Sequence, residues 1–298
     1  MKKEKHRKMH GNSAQSAMEY LMTYGWAILI IAVVLAVLFS LGITNPLFFA
    51  PKAVAGGCQV IRPSGAGTTD NINLAGTCDG AIPKFVAELN GASSSISTST
   101  SELPLGSSPR SVFAWIYVTG STSSYHVIYN YGARAWDNLA GLFIFNGYLL
   151  VGLYGPNGYT ALSPSSNNWH FVGYVYNGGT SKPTVYLDAQ SQVTGYLTFN
   201  TVLPTYDPSD IGKDTNGAYA EFFPGKIANL QVYDSALSAS EVQALYQEGI
   251  GGAPIALQHI VGWWPLNGNA NDYSGNNNDG VASNVIWDGN WWQDYSAP

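Results

Sequence analysis

The stretch S-V-F-A-W-I-Y-V, residues Ser111 to Val118, is apolar at almost every position. A strand with one face in solvent alternates apolar and polar residues, whereas a strand buried on both faces is apolar throughout. Ser111 to Val118 is therefore predicted to be a buried strand of a β-sandwich, and the neighbouring elements are expected to pack around it.

Two strand pairs are predicted downstream of this stretch. G-L-F-I-F and Y-L-L-V-G-L are separated by Asn146-Gly147, which favours a tight type I′ turn because both residues tolerate positive φ. H-F-V-G-Y-V-Y and T-V-Y-L form the second pair, around Asn177-Gly178-Gly179. This pattern of short strands between turn signals predicts a mainly β, antiparallel domain.

One helix interrupts the β pattern. Ser238 and Glu241 have the spacing of a capping box, in which each side chain satisfies a backbone N–H of the other's residue. An apolar stripe of Val242, Leu245 and Tyr246 follows, and Gly249 ends the helix. The stripe is expected to pack on the core.

The order of these elements resembles the laminin-G-like, concanavalin A-like jelly roll. The resemblance covers residues 84–252 and implies an antiparallel β-sandwich there. One departure is Ala228-Asn229, where relatives often carry an acidic pair, so no role of those acids is carried over to this chain. The motifs that carry the resemblance are F-V-A-E-L-N-G-A, S-V-F-A-W-I-Y, N-N-W-H-F-V-G-Y, V-Y-L-D-A, I-G-K-D and F-F-P-G-K-I-A-N-L-Q-V-Y-D-S-A-L-S-A-S-E-V.

The C-terminal tail, residues 253–298, contains a motif that resembles the same family in an unusual place. V-G-W-W-P-L-N-G-N-A-N-D-Y-S-G-N-N-N-D-G commonly opens the domain in relatives, but here it comes last. Two arrangements remain open. The domain is circularly permuted and the tail returns in cis, which the closeness of jelly-roll termini favours, or the tail adds a strand to the next subunit.

The N-terminal stretch Gln15 to Ile43 is a candidate membrane helix. No Asp, Glu, Lys, Arg or His occurs from Tyr20 to Ala50, and about 20 apolar residues suffice to cross a bilayer. The basic flank M-K-K-E-K-H-R-K is expected to stay cytoplasmic and the bulk of the chain outside. The run is too long for a secretory signal peptide, and a plain anchor leaves Glu19 unexplained.

The string A-Q-S-A-M-E-Y-L-M-T-Y-G-W-A resembles the class III signal peptide of archaeal type IV pilin-like proteins. The resemblance implies that a prepilin peptidase removes a basic leader, residues 1–14, between Ala14 and Gln15. The hydrophobic helix, residues 15–45, then stays on the mature protein. Glu19 becomes its fifth residue, and its carboxylate is expected to pair with the Gln15 ammonium of a neighbouring subunit during assembly.

A turn-rich connector, residues 46–83, follows the helix. Its two cysteines, Cys58 and Cys78, are the only ones in the chain. A disulfide is expected between them because the compartment outside the membrane is oxidising; two free thiols are the alternative.

Calcium is a candidate cofactor of the tail motif. Calcium takes six to eight oxygen ligands from carboxylates, amides and carbonyls, and Asn269, Asp272 and Asp279 offer such oxygens. The alternative is an Asx-turn, in which these side chains organise the loop through its own backbone.

Composition excludes several functions. The net charge is −6, which argues against nucleic acid. The chain shows no H-E-x-x-H, G-x-S-x-G, P-loop or Glu-x-Asp-x-Glu pattern. His126, His170 and His259 are isolated in the sequence, and each is expected to be a structural or surface histidine and not a catalyst, so we expect no enzyme. Exposed aromatics are expected either to stack on sugar rings or to pack in the core or an interface; the candidates are Trp136, Trp287, Trp291 and Trp292.

These observations predict a cell-surface, pilin-like subunit, with its N-terminus cytoplasmic, that displays a lectin-like β-sandwich for adhesion or carbohydrate binding. Its expected partners are the prepilin peptidase, the membrane, other pilin subunits and carbohydrate. The alternatives are a membrane-anchored lectin-like protein that never polymerises and, less favoured, a secreted glycosidase.

Overall fold

A computed structural model describes Met22, residues 24–35, 57–63, 69–75, 83–295 and Pro298, except 124, 136, 154–157, 196–197, 204–208 and 215–220. The chain divides into two compact units, Met1–Lys52 and Ala53–Pro298. In the first unit, Met22 and residues 24–35 are helical. Within the described residues, the helical segments are all too short or too polar to span a bilayer.

The second unit is almost entirely β-structure. Its helical segments are α1 (Ala239–Gln247) and the 3-10 turns η1 (Leu257–His259) and η2 (Trp291–Asp294). Its strands are β1 (Gly57–Pro63), β2 (Thr69–Ala75), β3 (Val86–Asn90), β4 (Ser95–Thr98), β5 (Arg110–Val118), β6 (His126–Gly132), β7 (Leu139–Phe145), β8 (Tyr148–Leu153), β9 (Gly158–Tyr159), β10 (Trp169–Tyr176), β11 (Thr184–Leu187), β12 (Gln190–Val193), β13 (Ser209–Ile211), β14 (Pro224–Tyr233), β15 (Ile260–Trp264), β16 (Gly280–Ser283) and β17 (Ile286–Asp288).

Two antiparallel sheets form the sandwich that the sequence predicts. The eight-stranded sheet has the order β12-β11-β10-β5-β14-β3-β17, and β15 also pairs with β14. The seven-stranded sheet has the order β16-β4-β13-β6-β7-β8-β9. β1 and β2 form a separate hairpin within the connector. We call the face of each sheet that is turned away from the other sheet its outer face.

The predicted central strand, β5, is buried along its whole length. Val112, Ala114, Ile116 and Val118 lie in the core between the two sheets. The alternate side chains belong to a second apolar cluster that also contains Val242 and Leu245 of α1 and therefore lies on the outer face. These alternate side chains are Phe113, Trp115 and Tyr117. Burial on both faces is the reason that this stretch is apolar throughout.

The predicted local motifs are present. Asn146 and Gly147 have φ of 50° and 83° and connect β7 to β8, as a type I′ turn requires. Glu241 N–H donates to Ser238 Oγ at 3.3 Å and Ser238 N–H donates to Glu241 Oε2 at 2.7 Å, which completes the capping box of α1. Gly249 has a φ of 77° just after the helix.

The C-terminal tail pairs with its own chain and contributes to both sheets. β15 pairs with β14, β17 extends the eight-stranded sheet beside β3, and β16 extends the seven-stranded sheet beside β4. Trp264 is fully buried between the sheets, and its Nε1 donates to Asn278 O at 2.9 Å. In this structure the tail pairs in cis, and the circular permutation stays a prediction.

Along one edge of β14 the paired strand changes from β3 to β15, and Asn229 lies where this change occurs. Its first half pairs with β3 and its second half with β15, on the side opposite β5. Asn229 has a φ of 49° at an irregularity in the register. Its buried amide donates to Gly252 O at 2.7 Å and accepts from Trp263 Nε1 at 2.8 Å and Gln231 Nε2 at 3.0 Å.

Replacement of Asn229 by alanine is expected to lower the free energy of unfolding by about 3–5 kcal/mol. The change leaves three buried polar partners without their bonds and places a Cβ-bearing residue without a polar side chain at positive φ. Urea denaturation followed by tryptophan fluorescence measures the loss.

Asn277→Ala is the matched control, because Asn277 also has a positive φ, of 58°, but is exposed. It should cost about 1 kcal/mol, the cost of the backbone conformation alone. Equal losses in the two variants would show that the Asn229 network contributes nothing beyond conformation.

Candidate binding face on the seven-stranded sheet

The outer face of the seven-stranded sheet carries its own small apolar cluster. Val127, Leu139, Phe143 and Leu150 are buried there, apart from the core between the sheets. The cluster comes from β6, β7 and β8, which lie side by side. These apolar side chains give the outer face a partly desolvated surface on which a ligand could pack.

Aromatic side chains continue this cluster toward solvent. Tyr125 stacks on Phe145 with ring centroids 4.0 Å apart, and Tyr159 lies 6.4 Å from Phe145. Tyr148 pairs directly with Phe145 across the β7–β8 hairpin. Tyr148 is 46% exposed and Tyr159 is 50% exposed. We call Tyr125, Phe145, Tyr148 and Tyr159 the aromatic row.

Local structure fixes the aromatic row. Tyr148 directly follows the Asn146-Gly147 turn, and Gly147 N–H donates to Thr122 O at 3.0 Å, which anchors the turn. The pKa of Tyr125 is raised to about 12, chiefly by burial and also by a hydrogen bond to Tyr159 and the charge of Glu221. Tyr125 therefore remains a neutral phenol at physiological pH.

Charged side chains lie on the same sheet. Arg134 Nη2 is 3.2 Å from Asp214 Oδ2, and Lys213 Nζ is 3.8 Å from Asp210 Oδ1. Ser97 Oγ donates to Asp210 Oδ1 at 2.6 Å. We call Arg134, Asp210, Lys213, Asp214 and Glu221 the charged cluster.

The register places Asp210 of the charged cluster on the outer face. Asp210 pairs with Ser97 and Asn130, whereas the next residue, Ile211, belongs to the core between the sheets. Side chains alternate along a strand, so Asp210 points outward. Asn130 Nδ2 donates to Lys213 O at 2.8 Å, which holds the segment after β13 over β6.

Glu221 is the electrostatically unusual member of this cluster. The pKa of its carboxyl is raised to about 7, chiefly by burial and also by the nearby Asp214 carboxylate, while Arg134 partly offsets the rise. Its buried Oε2 has no hydrogen-bond partner in the structure. Burial also raises the pKa of Asp137. A carboxyl that is protonated near neutral pH can donate a hydrogen bond to a ligand hydroxyl.

Several predicted site residues lie outside the described part of the chain. These are Ala14, Gln15, Glu19, Trp136, Cys78 and the side chain of Cys58. Leader cleavage, the assembly contact and the disulfide therefore stay predictions.

The remaining tryptophans divide between core and surface. Trp291 is fully buried and packs edge-on against Trp169 at 5.7 Å, which is the core packing that the sequence analysis gave as the alternative to sugar stacking. Trp287 is partly buried against the main core, and Trp292 is 57% exposed. The exposed aromatics of the binding face are tyrosines, which the sequence did not single out.

The predicted calcium ligands hold the tail loop by hydrogen bonds. Asp272 Oδ1 accepts from the N–H groups of Trp263 and Ser274, each at 2.9 Å. Asp272 Oδ2 accepts from Ser274 Oγ at 2.8 Å and from Asn278 N–H at 2.9 Å. The other two candidates, Asp279 and Asn269, accept from Asp272 N–H and Asn271 N–H.

These bonds use the four acceptor positions of the Asp272 carboxylate, so the residues as arranged do not fit calcium. The loop has the hydrogen bonds of the alternative, an Asx-turn. A metal site requires several ligand side chains close together. Among the described residues, no group of three or more His, Cys, Asp or Glu side chains has such an arrangement. Calcium binding stays a prediction that would require this loop to rearrange.

The three histidines, which the sequence analysis expects to be structural or surface residues, all have hydrogen-bond partners. His126 Nδ1 contacts Phe222 O at 2.8 Å, and His259 Nδ1 contacts Asp234 Oδ1 at 2.8 Å. His170 contacts both Asp188 and Ser165. These partners are 18 to 96 residues away along the chain, except Ser165, which is five residues away, so sequence spacing alone gave no signal.

Comparison with known proteins identifies the family. Residues 90–243, just over half of the chain, match the model of the concanavalin A-like lectin/glucanases superfamily (Laminin_G_3). The protein therefore belongs to this superfamily. A search of curated proteins finds no match.

A search of solved structures finds similar chains at low sequence identity. A candidate carbohydrate-binding protein from Bacteroides ovatus is 16% identical with a TM-score of 0.55, over 69% of this chain and 60% of its own. A SAP-like pentraxin from Limulus polyphemus is 16% identical with a TM-score of 0.45, over 69% of this chain and 94% of its own. The CBM40 of a Ruminococcus gnavus sialidase is 16% identical with a TM-score of 0.41, over 55% and 98%.

Glu221 makes the stability of the fold depend on pH. The folded protein holds this proton up to about pH 7, whereas the unfolded chain releases it near 4.5. The folded state binds more protons between these values, so stability falls as pH rises through this window. Glu221→Gln removes the effect and should be more stable than the natural protein by about 1–2 kcal/mol at pH 8, with allowance for solvent screening.

Urea denaturation at pH 4.5 and pH 8 checks this prediction. The stabilities of the variant and the natural protein should converge at the lower pH. Glu102→Gln, at an exposed position outside the charged cluster, should change neither value. A Glu221→Gln variant that is less stable at pH 8 would contradict the buried, protonated carboxyl.

Proposed function

We propose that the outer face of the seven-stranded sheet binds carbohydrate. The observation that carries this proposal is the aromatic row, with two tyrosine rings about half exposed, beside the charged cluster on the same sheet. Aromatic rings offer flat apolar surface with a polar edge, which suits the C–H faces of sugar rings. Fixed charged and hydroxyl groups suit the sugar hydroxyls around them.

The aromatic row and the charged cluster contribute to recognition in different ways. The aromatic row supplies area, because Tyr148 and Tyr159 lose water when a ring covers them. The charged cluster supplies direction, since the partly exposed Arg134 and Lys213 can donate to sugar hydroxyls. The buried carboxylates of Asp214 and Asp210 hold these two cations in place. The similar Bacteroides ovatus structure is described as a candidate carbohydrate-binding protein, which agrees with this proposal.

We further propose that the chain is displayed at the cell surface as a pilin-like subunit. The class III signal motif around Gln15 supports the proposal. Large apolar side chains of the described N-terminal helix are also exposed in the single chain, among them Trp26 at 65% and Ile28 at 66%. Such a surface requires lipid or neighbouring subunits to cover it. The prepilin peptidase, the membrane and other pilin subunits are the corresponding partners.

Two alternatives correspond to different outcomes. A membrane-anchored lectin-like protein would bind carbohydrate without forming filaments. A secreted glycosidase would hydrolyse a polysaccharide through a pair of carboxylates, with the acids of the charged cluster as its candidates. We propose binding without glycoside hydrolysis, because the aromatic row favours a binding surface.

Carbohydrate binding is tested with a glycan array, followed by calorimetry on the best ligand. Tyr148→Ala and Tyr159→Ala should each weaken binding about tenfold, because each removes a stacking ring worth roughly 1.4 kcal/mol. Trp292→Ala is the matched control, since Trp292 is similarly exposed but lies in η2, outside the aromatic row. Loss of binding in Trp292→Ala alone would place the site elsewhere.

Processing and assembly are tested on cells that express the full chain. Mass spectrometry of the mature protein should find Gln15 as the first residue, and an intact Met1 would exclude the pilin class. Glu19→Ala should abolish filaments in electron micrographs while the protein stays in the membrane, because the Gln15 ammonium then loses its partner. If no filament depends on Glu19, the non-polymerising anchor is the better description.

A further inference from the structure

Ser165, His170 and Asp188 form a hydrogen-bonded chain of three side chains. Ser165 Oγ is 2.8 Å from His170 Nε2, and His170 Nδ1 is 2.7 Å from Asp188 Oδ2. A serine, a histidine and an aspartate connected in this order are the nucleophile, base and orienting acid of the serine hydrolases, which are recognised by geometry and not by sequence position. The group lies outside the binding face described above.

The hydrogen bonds fix the protonation state of His170. The backbone N–H of Ser165 donates to Nε2 at 3.1 Å, so Nε2 carries no proton in this arrangement. The proton of the neutral ring is therefore on Nδ1, where it is donated to Asp188. The Nε2 lone pair faces both the N–H and Oγ of Ser165, and as a general base it exchanges the N–H bond for the Oγ proton.

Different parts of the fold hold the three residues in place. His170 follows Trp169 at the start of β10, while Asp188 lies in the turn between β11 and β12 with a φ of 49°. Asp188 Oδ1 also accepts from Phe171 N–H at 2.9 Å, so both carboxylate oxygens are held. The Asp188 side chain is 33% exposed and that of His170 is 14% exposed.

Ser165 is exposed, so a substrate can reach its hydroxyl. It lies in the loop that leads into β10, and Ser163 of this loop donates to Gly147 O at 2.8 Å. Asn168 Nδ2 donates to Ser165 Oγ at 3.1 Å and to Ser166 O at 3.2 Å. The loop residues 165–168 are polar and exposed, which suits a short acyl group better than a long one.

We propose that Ser165, His170 and Asp188 are a hydrolytic site for short acyl esters, such as O-acetyl groups. Ser165 Oγ attacks the ester carbonyl carbon and its proton passes to His170 Nε2. The C–O bond to the alcohol breaks, and the alcohol leaves with that proton. Water then attacks the acyl-serine with His170 again as base, so one ester and one water give one acid and one alcohol.

Asn168 is the donor for the oxyanion of this reaction. Its amide already contacts Ser165 Oγ, and the oxyanion forms on the carbon that is bonded to this atom. When Nε2 takes the serine proton, the Ser165 N–H also loses its acceptor and becomes available to the oxyanion. One such donor contributes about 10²–10³-fold to the rate of acyl transfer in serine hydrolases.

The test uses the full-length protein in a detergent without a sugar headgroup and p-nitrophenyl acetate as substrate. Ser165→Ala should lower kcat at least about 100-fold. Asp188→Asn should cause a similar loss, because the amide then donates to Nδ1 and moves the ring proton to Nε2. Asparagine also tolerates the positive φ at this position, so this variant keeps the turn.

Two control variants distinguish the site from surface reactivity. Ser163→Ala changes the adjacent serine of the same loop, and His259→Gln removes a histidine that contacts Asp234 but no serine. Both should retain the natural rate. A rate that falls in Ser163→Ala or His259→Gln, and not in Ser165→Ala, would overturn the proposal.

A fluorophosphonate probe gives an independent readout that a structural role would not produce. Peptide mass spectrometry should find the probe on Ser165 in the natural protein and not in Asp188→Asn, with circular dichroism spectra of the two proteins alike. No labelling of Ser165, or equal hydrolysis by the natural protein and Ser165→Ala, shows that the three residues only hold the loop. The result is independent of glycan binding by the other face.

Discussion

The buried side chain of Asn229 connects β14 to the C-terminal tail, which is distant from it in the sequence. β14 pairs with β5 on one side and with β3 and then β15 on the other, and Asn229 occupies the change of neighbour. Its bonds reach Trp263 of the tail and Gly252 before it. A buried amide is costly unless its donor and acceptor are both satisfied. The Asn229 amide, the Gly252 carbonyl and the Trp263 indole N–H therefore satisfy one another. In this structure these bonds hold the tail against its own chain.

The same tail supplies an edge strand to each of the two sheets. Asp272 accepts the N–H of Trp263 and the N–H of Asn278, so the loop after β15 is folded back before β16 begins. β16 and β17 then extend one sheet each. The Asn/Asp density of the motif serves this turn, and the motif works at the C-terminus because its partners are close in space and not in sequence.

The two outer faces differ because different elements cover them. On the eight-stranded sheet, α1 and η2 bury Phe113, Trp115 and Trp169 in an apolar cluster. On the seven-stranded sheet the described apolar cluster is small and ends in half-exposed tyrosines. The second face therefore keeps the two tyrosines and the partly exposed Arg134 and Lys213 within reach of a ligand, and it is where we propose carbohydrate binding.

The sequence by itself determined the elements whose signal is local. The apolar run of β5, the Asn146-Gly147 turn and the Ser238–Glu241 capping box each depend on residues within a few positions of one another, and the family resemblance gave the sandwich. Tertiary structure alone decided the binding face, the role of Asn229 and the group of Ser165, His170 and Asp188. The sequence marked Asn229 only as a departure from relatives and predicted only a structural or surface role for His170. Side chains meet across a sheet or a turn according to strand register and sheet order, and these long-range pairings are not encoded in local spacing.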